Sequence, residues 1–113
     1  MSFFEKLRQA NLARDIEQAG KQGVFSLSFR GNELAGEVGE ACNILKKLDR
    51  ERMGIVGSRA TFSQLKEELA DVFICLDLIA MDLYISPEDI EEMIKYKFNK
   101  TSQQRNLKTM MQE

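Results

Sequence analysis

Apolar side chains return along this chain every three or four residues, the spacing of a helix face. Four segments carry the pattern. In residues 2–19, Phe3, Leu7 and Ala10 share one face and Leu12, Ile16 and Ala19 another. Ser2 is placed to cap this helix, Glu5 completes a capping box, and Gly20 and Gly23 end it. The second helix opens at Gly31-Asn32, with Asn32 as N-cap, and runs to about residue 52. Its basic end, from Lys46 onward, suits the helix dipole. The third is capped by Thr61, with Gln64 three residues on, and continues to about residue 84. The fourth begins at the sharpest boundary in the chain: Ser86 as N-cap, Pro87 in the first helical position, and Asp89 closing the box. Its Ile90, Met93, Ile94 and Phe98 are expected to face inward. Residues 53–60, with Gly54, Gly57 and Ser58, read as a loop. The fold class is therefore all-α, one domain over residues 1–113, of four-helix-bundle type.

One segment breaks the pattern. Val24-Phe25-Ser26-Leu27-Ser28-Phe29 alternates apolar and small polar residues, which is a strand signal. No second strand is present to pair with it, and a lone strand leaves backbone groups unbonded. An ordered loop over the bundle end is the expectation.

The two central helices share a register. As heptads, Leu34, Val38, Ala41, Leu45 and Leu48 read d, a, d, a, d, and Phe62, Leu65, Leu69, Val72, Leu76, Ile79 and Leu83 read a, d, a, d, a, d, a. Glu37 and Glu68 then both fall at g, and Glu40 and Asp71 both at c, flanking the apolar seam. The short connection favours antiparallel neighbours, in which g faces g. Packing the seams together is expected to gather Glu37, Glu40, Glu68 and Asp71. Like charges a few Å apart repel by about 1 kcal/mol per pair in water and more near a protein interior. Protons or a cation must relieve that. The donors are hard oxygens and the chain has no histidine, which points to Mg²⁺ or Mn²⁺ rather than zinc.

Composition narrows the classes. Hydrophobic residues make up 43% and charged residues 30%, which is too apolar for disorder. The run of apolar residues needed for a membrane span is missing, and the early charges of the N-terminus do not fit a secretory signal. Cys42 and Cys75 lie among apolar helix residues and read as reduced core thiols, so a cytoplasmic location is expected. A net charge of −2 gives no electrostatic footprint for duplex nucleic acid.

Glu37-Val-Gly-Glu40, a gap, then Glu68-Leu-Ala-Asp71-Val resembles the E-x-x-E…E-x-x-D signature of the MazG-like, all-α nucleoside triphosphate pyrophosphohydrolases. The resemblance covers about residues 25–107. Gly31-Asn32-Glu33, Asn43-Ile-Leu-Lys46-Lys47-Leu and Lys97-Phe-Asn99-Lys100-Thr101-Ser102 carry it further. It implies hydrolysis of nucleoside triphosphates, dNTPs among them, to the monophosphate and pyrophosphate in nucleotide-pool housecleaning, with the four acids as Mg²⁺ ligands and catalytic residues. It implies substrate contacts for Asn32, Lys97, Asn99 and Lys100; Lys47, on the acid side two turns past Glu40, is a further candidate for a phosphate. Phe25 and Phe29 either plug the core or stack on a nucleobase. One departure is Gly36, where many members carry another Glu; whether Glu33 or Glu67 takes that role is open. The resemblance also implies a homodimer or homotetramer in which a neighbouring chain often completes the nucleotide site, and 97–105 is the candidate for the donated element. Apolar residues off the seam (Ile44, Phe73, Ile74, Ala80 and Met81) agree. The alternatives are a non-catalytic metal-binding or regulatory helical module, and a helical interaction domain whose acids meet a partner's lysines.

Overall fold

The computed structural model describes residues 1–57 and 59–112; Ser58, within the predicted loop, lies outside the described residues. Four helices follow one another, α1 (Phe3–Ala19), α2 (Leu27–Arg52), α3 (Phe62–Asp82) and α4 (Pro87–Gln104). No strand occurs among the described residues, so the fold is all-α as expected. No helix among them is long and apolar enough to cross a membrane.

The starts follow the capping chemistry. Ser2 and Thr61 each form a full capping box, with Glu5 and Gln64, and the Ser86 hydroxyl accepts the Asp89 N–H. The start of α2 differs from expectation. Its N-cap is Ser26, whose hydroxyl accepts the Phe29 N–H at 3.0 Å, so Leu27-Ser28-Phe29 is helical rather than loop, and Asn32 lies inside the helix. A serine that caps and a serine in an alternating strand are the same residue type at the same spacing; the missing partner strand decided between them.

Three helix ends use one device. After α2, α3 and α4 the chain turns left-handed at Gly54, Tyr84 and Asn106. The next N–H then reaches back to a carbonyl five residues earlier: Ile55 to Arg50 (2.9 Å), Ile85 to Ala80 (2.9 Å), and Leu107 to Ser102 (2.8 Å). This double turn satisfies the last carbonyls of each helix. At Tyr84 a large side chain occupies a backbone region that usually costs an L-residue about 1 kcal/mol.

α2 and α3 pack antiparallel, as the cross-contacts show: Arg30 meets Asp82, Glu33 meets Cys75, and Glu51 meets Ala60. The facing rows, however, are d and g rather than a and d. Ala41 and Cys75 are buried, and Leu34, Leu48, Leu65, Val72 and Ile79 are half-buried. The whole a row of both helices turns outward, from 41% exposed at Val38 to 72% at Phe62. The g-row acids thus sit inside the seam instead of beside it.

The face that α1 presents is polar. Arg8 donates to Asp77 (3.1 Å), and the Asn11 amide donates to Asp77 (2.9 Å) and to the Ile74 carbonyl (3.4 Å). Asn11 and Asp15 are the buried residues of α1, while Phe3, Ala10 and Ile16 of the predicted apolar faces are exposed. α4 approaches only α1. Its Ile90, Met93, Ile94 and Phe98, expected inward, are exposed. The chain therefore spreads: its radius of gyration is 17.5 Å, against about 13 Å for a compact domain of this length. Cys75 is buried as predicted; Cys42 is exposed, on the outward side of α2.

Candidate metal centre and an adjoining cleft

Glu37 and Glu40 stand one turn apart on α2, and Glu68 faces them from α3. One carboxylate oxygen from each comes within 4.8 Å of the others. Asp71, the fourth residue of the predicted set, lies outside that group, although its charge acts on both Glu37 and Glu68. Glu40 is exposed; Glu37 and Glu68 are half-buried, and the Oε2 of each is cut off from solvent without a hydrogen bond. Desolvation pushes the Glu37 carboxyl above its ordinary range, and the charges of Glu40 and Asp71 push it further. Glu68 rises first through a hydrogen bond shared with Glu40, which needs a proton between the two carboxylates, and then through desolvation. Three carboxylates converge here and two of them each keep an oxygen without a hydrogen bond, so these residues fit a hard cation. The donor set does not choose among oxygen-loving ions.

Cys75 lies beside the acids. Burial first, then the charges of Glu33 and Glu37, push its thiol up to about 11, so it stays an S–H donor. It donates to Glu33 Oε1 at 3.8 Å. Glu33 is one turn before Glu37, which puts it between the acid cluster and a cleft of about 180 Å³. Asn11, Asp15, Phe25, Phe29, Arg30 and Glu33 are among the residues lining that cleft. Phe25 and Phe29 do not plug the core. Their rings stack at 4.9 Å and 23°, Phe25 half-buried and Phe29 exposed, and the Arg30 guanidinium sits 4.8 Å from the Phe25 ring centre.

Arg30 holds this corner together. Its Nη2 donates to Asp15 on α1 and its Nε to Asp82 on α3, both at 2.8 Å, with all three side chains under 10% exposed. Burial works against its charge, but the hydrogen bonds and charges of Asp82 and Asp15 outweigh that and its pKa rises. Two aspartates and one arginine leave a net negative charge, and Asp15 Oδ2 and Asp82 Oδ1 take no hydrogen bond.

The predicted substrate residues are scattered. Asn32 is exposed on α2. Lys47 is half-buried, about 10 Å along the helix from Glu40. Lys97, Asn99 and Lys100 ride on α4, which does not approach α2 or α3, so this chain does not bring them to its own acids. The Asn99 carboxamide instead pins the C-terminal tail, donating to the Met111 carbonyl (3.4 Å) and accepting the Met111 N–H (2.7 Å). Lys100 lies over the Tyr96 ring at 5.7 Å. Sequence reasoning missed Asn11, Asp15 and Arg30. The available signal was register: Arg30 is seven residues before Glu37 and so shares its g row. No protein-family model, no curated protein and no solved structure matches this chain.

Proposed function

We propose that this chain is a Mg²⁺-dependent nucleoside triphosphate pyrophosphohydrolase of MazG-like type. The observation that supports this best is the convergence of Glu37, Glu40 and Glu68 within 4.8 Å inside an antiparallel helix seam, at the spacing of the family signature. In this reading those three hold the ion and Asp71 adds its charge. When bound, Mg²⁺ neutralises the triphosphate and makes the α-phosphorus more electrophilic. The chain has no histidine, so a carboxylate of the cluster accepts the proton of the attacking water. The cleft beside Glu33 takes the base next to the exposed ring of Phe29.

The phosphate-binding lysines come from a second copy in this reading. The chain exposes 8461 Å², against about 6,300 Å² for a folded monomer of 13.0 kDa. The outward a rows and the apolar residues of α4 are part of that exposed surface. A neighbour covering them can bring its Lys97 and Lys100 to these acids.

The deciding experiment is pyrophosphate release from a panel of NTPs and dNTPs with Mg²⁺, with EDTA as control. Mg²⁺-dependent pyrophosphate formation is the expected result. Stabilisation by Mg²⁺ with no turnover of any nucleotide would instead support a non-catalytic metal-binding module.

A further inference from the structure

The acid cluster sits in the middle of a longer row. Glu33, Glu40 and Lys47 follow at seven-residue spacing on α2 and share its c position, as Asp71 does on α3. In an antiparallel pair joined through d and g, both c rows lie on one side of the seam. That side changes sign along its length. At the Glu33 end, Asp15, Asp82 and Glu33 outnumber Arg14 and Arg30. At the other end stand Lys47 and Arg50, one turn apart and half-buried. Neither side chain has an ion pair among the described residues. The acids nearby are committed elsewhere: Arg52 donates to Asp49 at 2.9 Å, and the Ala60 N–H donates to Glu51 Oε1 at 2.8 Å. Two unpaired cations three residues apart on a helix repel. The helix dipole accounts for Arg50 in the last turn, but Lys47 comes before that turn.

We propose that Lys47 and Arg50 hold the terminal phosphates of the nucleotide, so that it lies along this side of α2 with its base at the Glu33 end and its pyrophosphate end toward the α2–α3 turn. This deepens the reading above and rests on its nucleotide substrate; the two cations add to the lysines of the second copy. Side chains on a helix lean toward its N-terminus, so Lys47 and Arg50 both lean toward Glu40. Lys47 starts about 10 Å along the axis from Glu40, and its four-carbon stem covers much of that span. The gap that remains is one for the β- and γ-phosphates of a chain whose α-phosphate lies at the acids. The Lys47 ammonium supplies a point charge and the Arg50 guanidinium a fork of N–H donors, and a terminal phosphate can take both. The opposite orientation sets the phosphates against Glu33 and the two aspartates, where like charge rejects them. A monophosphate is too short to reach Lys47 from the acids, so the contact also reads the length of the phosphate chain.

Calorimetric titration of the full chain with inorganic pyrophosphate in saturating Mg²⁺, at about 0.15 M salt, tests the contact apart from turnover. Lys47→Gln should weaken pyrophosphate at least about tenfold and Arg50→Gln at least about threefold. Mg²⁺ alone should bind both variants as it binds wild type. Lys47→Arg keeps the charge and should stay within about threefold of wild type. Arg52→Gln is the control. It removes a charge from the same end of α2, but from a side chain 74% exposed and paired with Asp49, and should change the affinity less than about twofold. dAMP, which lacks the terminal phosphates, should bind wild type and Lys47→Gln alike. If circular dichroism shows that Lys47→Gln is unfolded, Arg50→Gln decides. No binding of pyrophosphate by wild type, unchanged affinity in Lys47→Gln, an equal loss in Arg52→Gln, or an equal loss for dAMP overturns the proposal. Pyrophosphate binding that depends on Lys47, without turnover of any nucleotide, sustains it while the pyrophosphohydrolase reading fails. Turnover with wild-type pyrophosphate binding in both Gln variants does the reverse.

Discussion

Glu40 shows what a single residue can decide here. It is the exposed member of the acid cluster and adds no packing, yet its charge and hydrogen bond raise the proton affinity of Glu68 and its charge that of Glu37. Glu40→Gln removes a repelling charge and a metal oxygen together. The metal-free variant should melt at the wild-type temperature or above it, with pyrophosphate release lost. Unfolding, or near wild-type turnover, would refute the metal role. Glu37 and Glu68 tie the same cluster to pH. Both bind protons more readily in the folded chain than in the unfolded one. Their contribution to stability is therefore present at low pH and lost as pH rises from the ordinary 4.5 through the raised folded values. In metal-free protein, the Glu37→Gln/Glu68→Gln double variant should lose less stability than wild type between pH 4.5 and about pH 7. Denaturant midpoints at the two pH values measure this; a wild-type slope in the double variant would contradict the assigned strain.

Apolar residues join α2 to α3, and charge ties α1 to them. The largest fully buried side chains of an ordinary core are missing among the described residues, and the joint between α1, α2 and α3 is Arg30 with its two aspartates. Arg30→Ala strands both carboxylates in the interior and should cost about 3–5 kcal/mol in urea unfolding. A smaller loss would mean that the aspartates find water or protons easily. Gly39, inside α2, has nothing within 4 Å of an added Cβ. Gly39→Ala should raise monomer stability by about 0.5–1 kcal/mol, read from the same curves. Much of this layer was legible in the sequence. Ser2, Thr61 and Ser86 announced three helix starts because a cap acts over three or four residues. The acid cluster was legible because two helices repeat one register. The ion triad was not, since Asp15, Arg30 and Asp82 belong to three helices and no local window holds them together. The a row misled for a different reason: apolar spacing shows which side of a helix is greasy, not whether its own chain or something else covers that side.

At the scale of the whole molecule, a radius of gyration of 17.5 Å goes with an exposed a row, and that row is what the proposed second copy would have to cover. Light scattering at micromolar concentration should give at least twice the chain mass of 13.0 kDa. A fully active particle of 13.0 kDa would remove the second copy from the site. How far such an arm can adapt comes down to Tyr84. The side chain is 84% exposed and packs against little, while the backbone beneath it carries the left-handed turn from α3 into α4. Mechanically, that residue is the elbow of a lever whose long limb is α4 and its returning tail. A lever with a stiff elbow aims its load; one with a slack elbow only tethers it. Tyr84→Gly would ease the turn by about 1 kcal/mol and at the same time loosen the joint. The folded chain would then be more stable, and yet α4 should show faster amide hydrogen exchange and small-angle scattering a broader range of sizes.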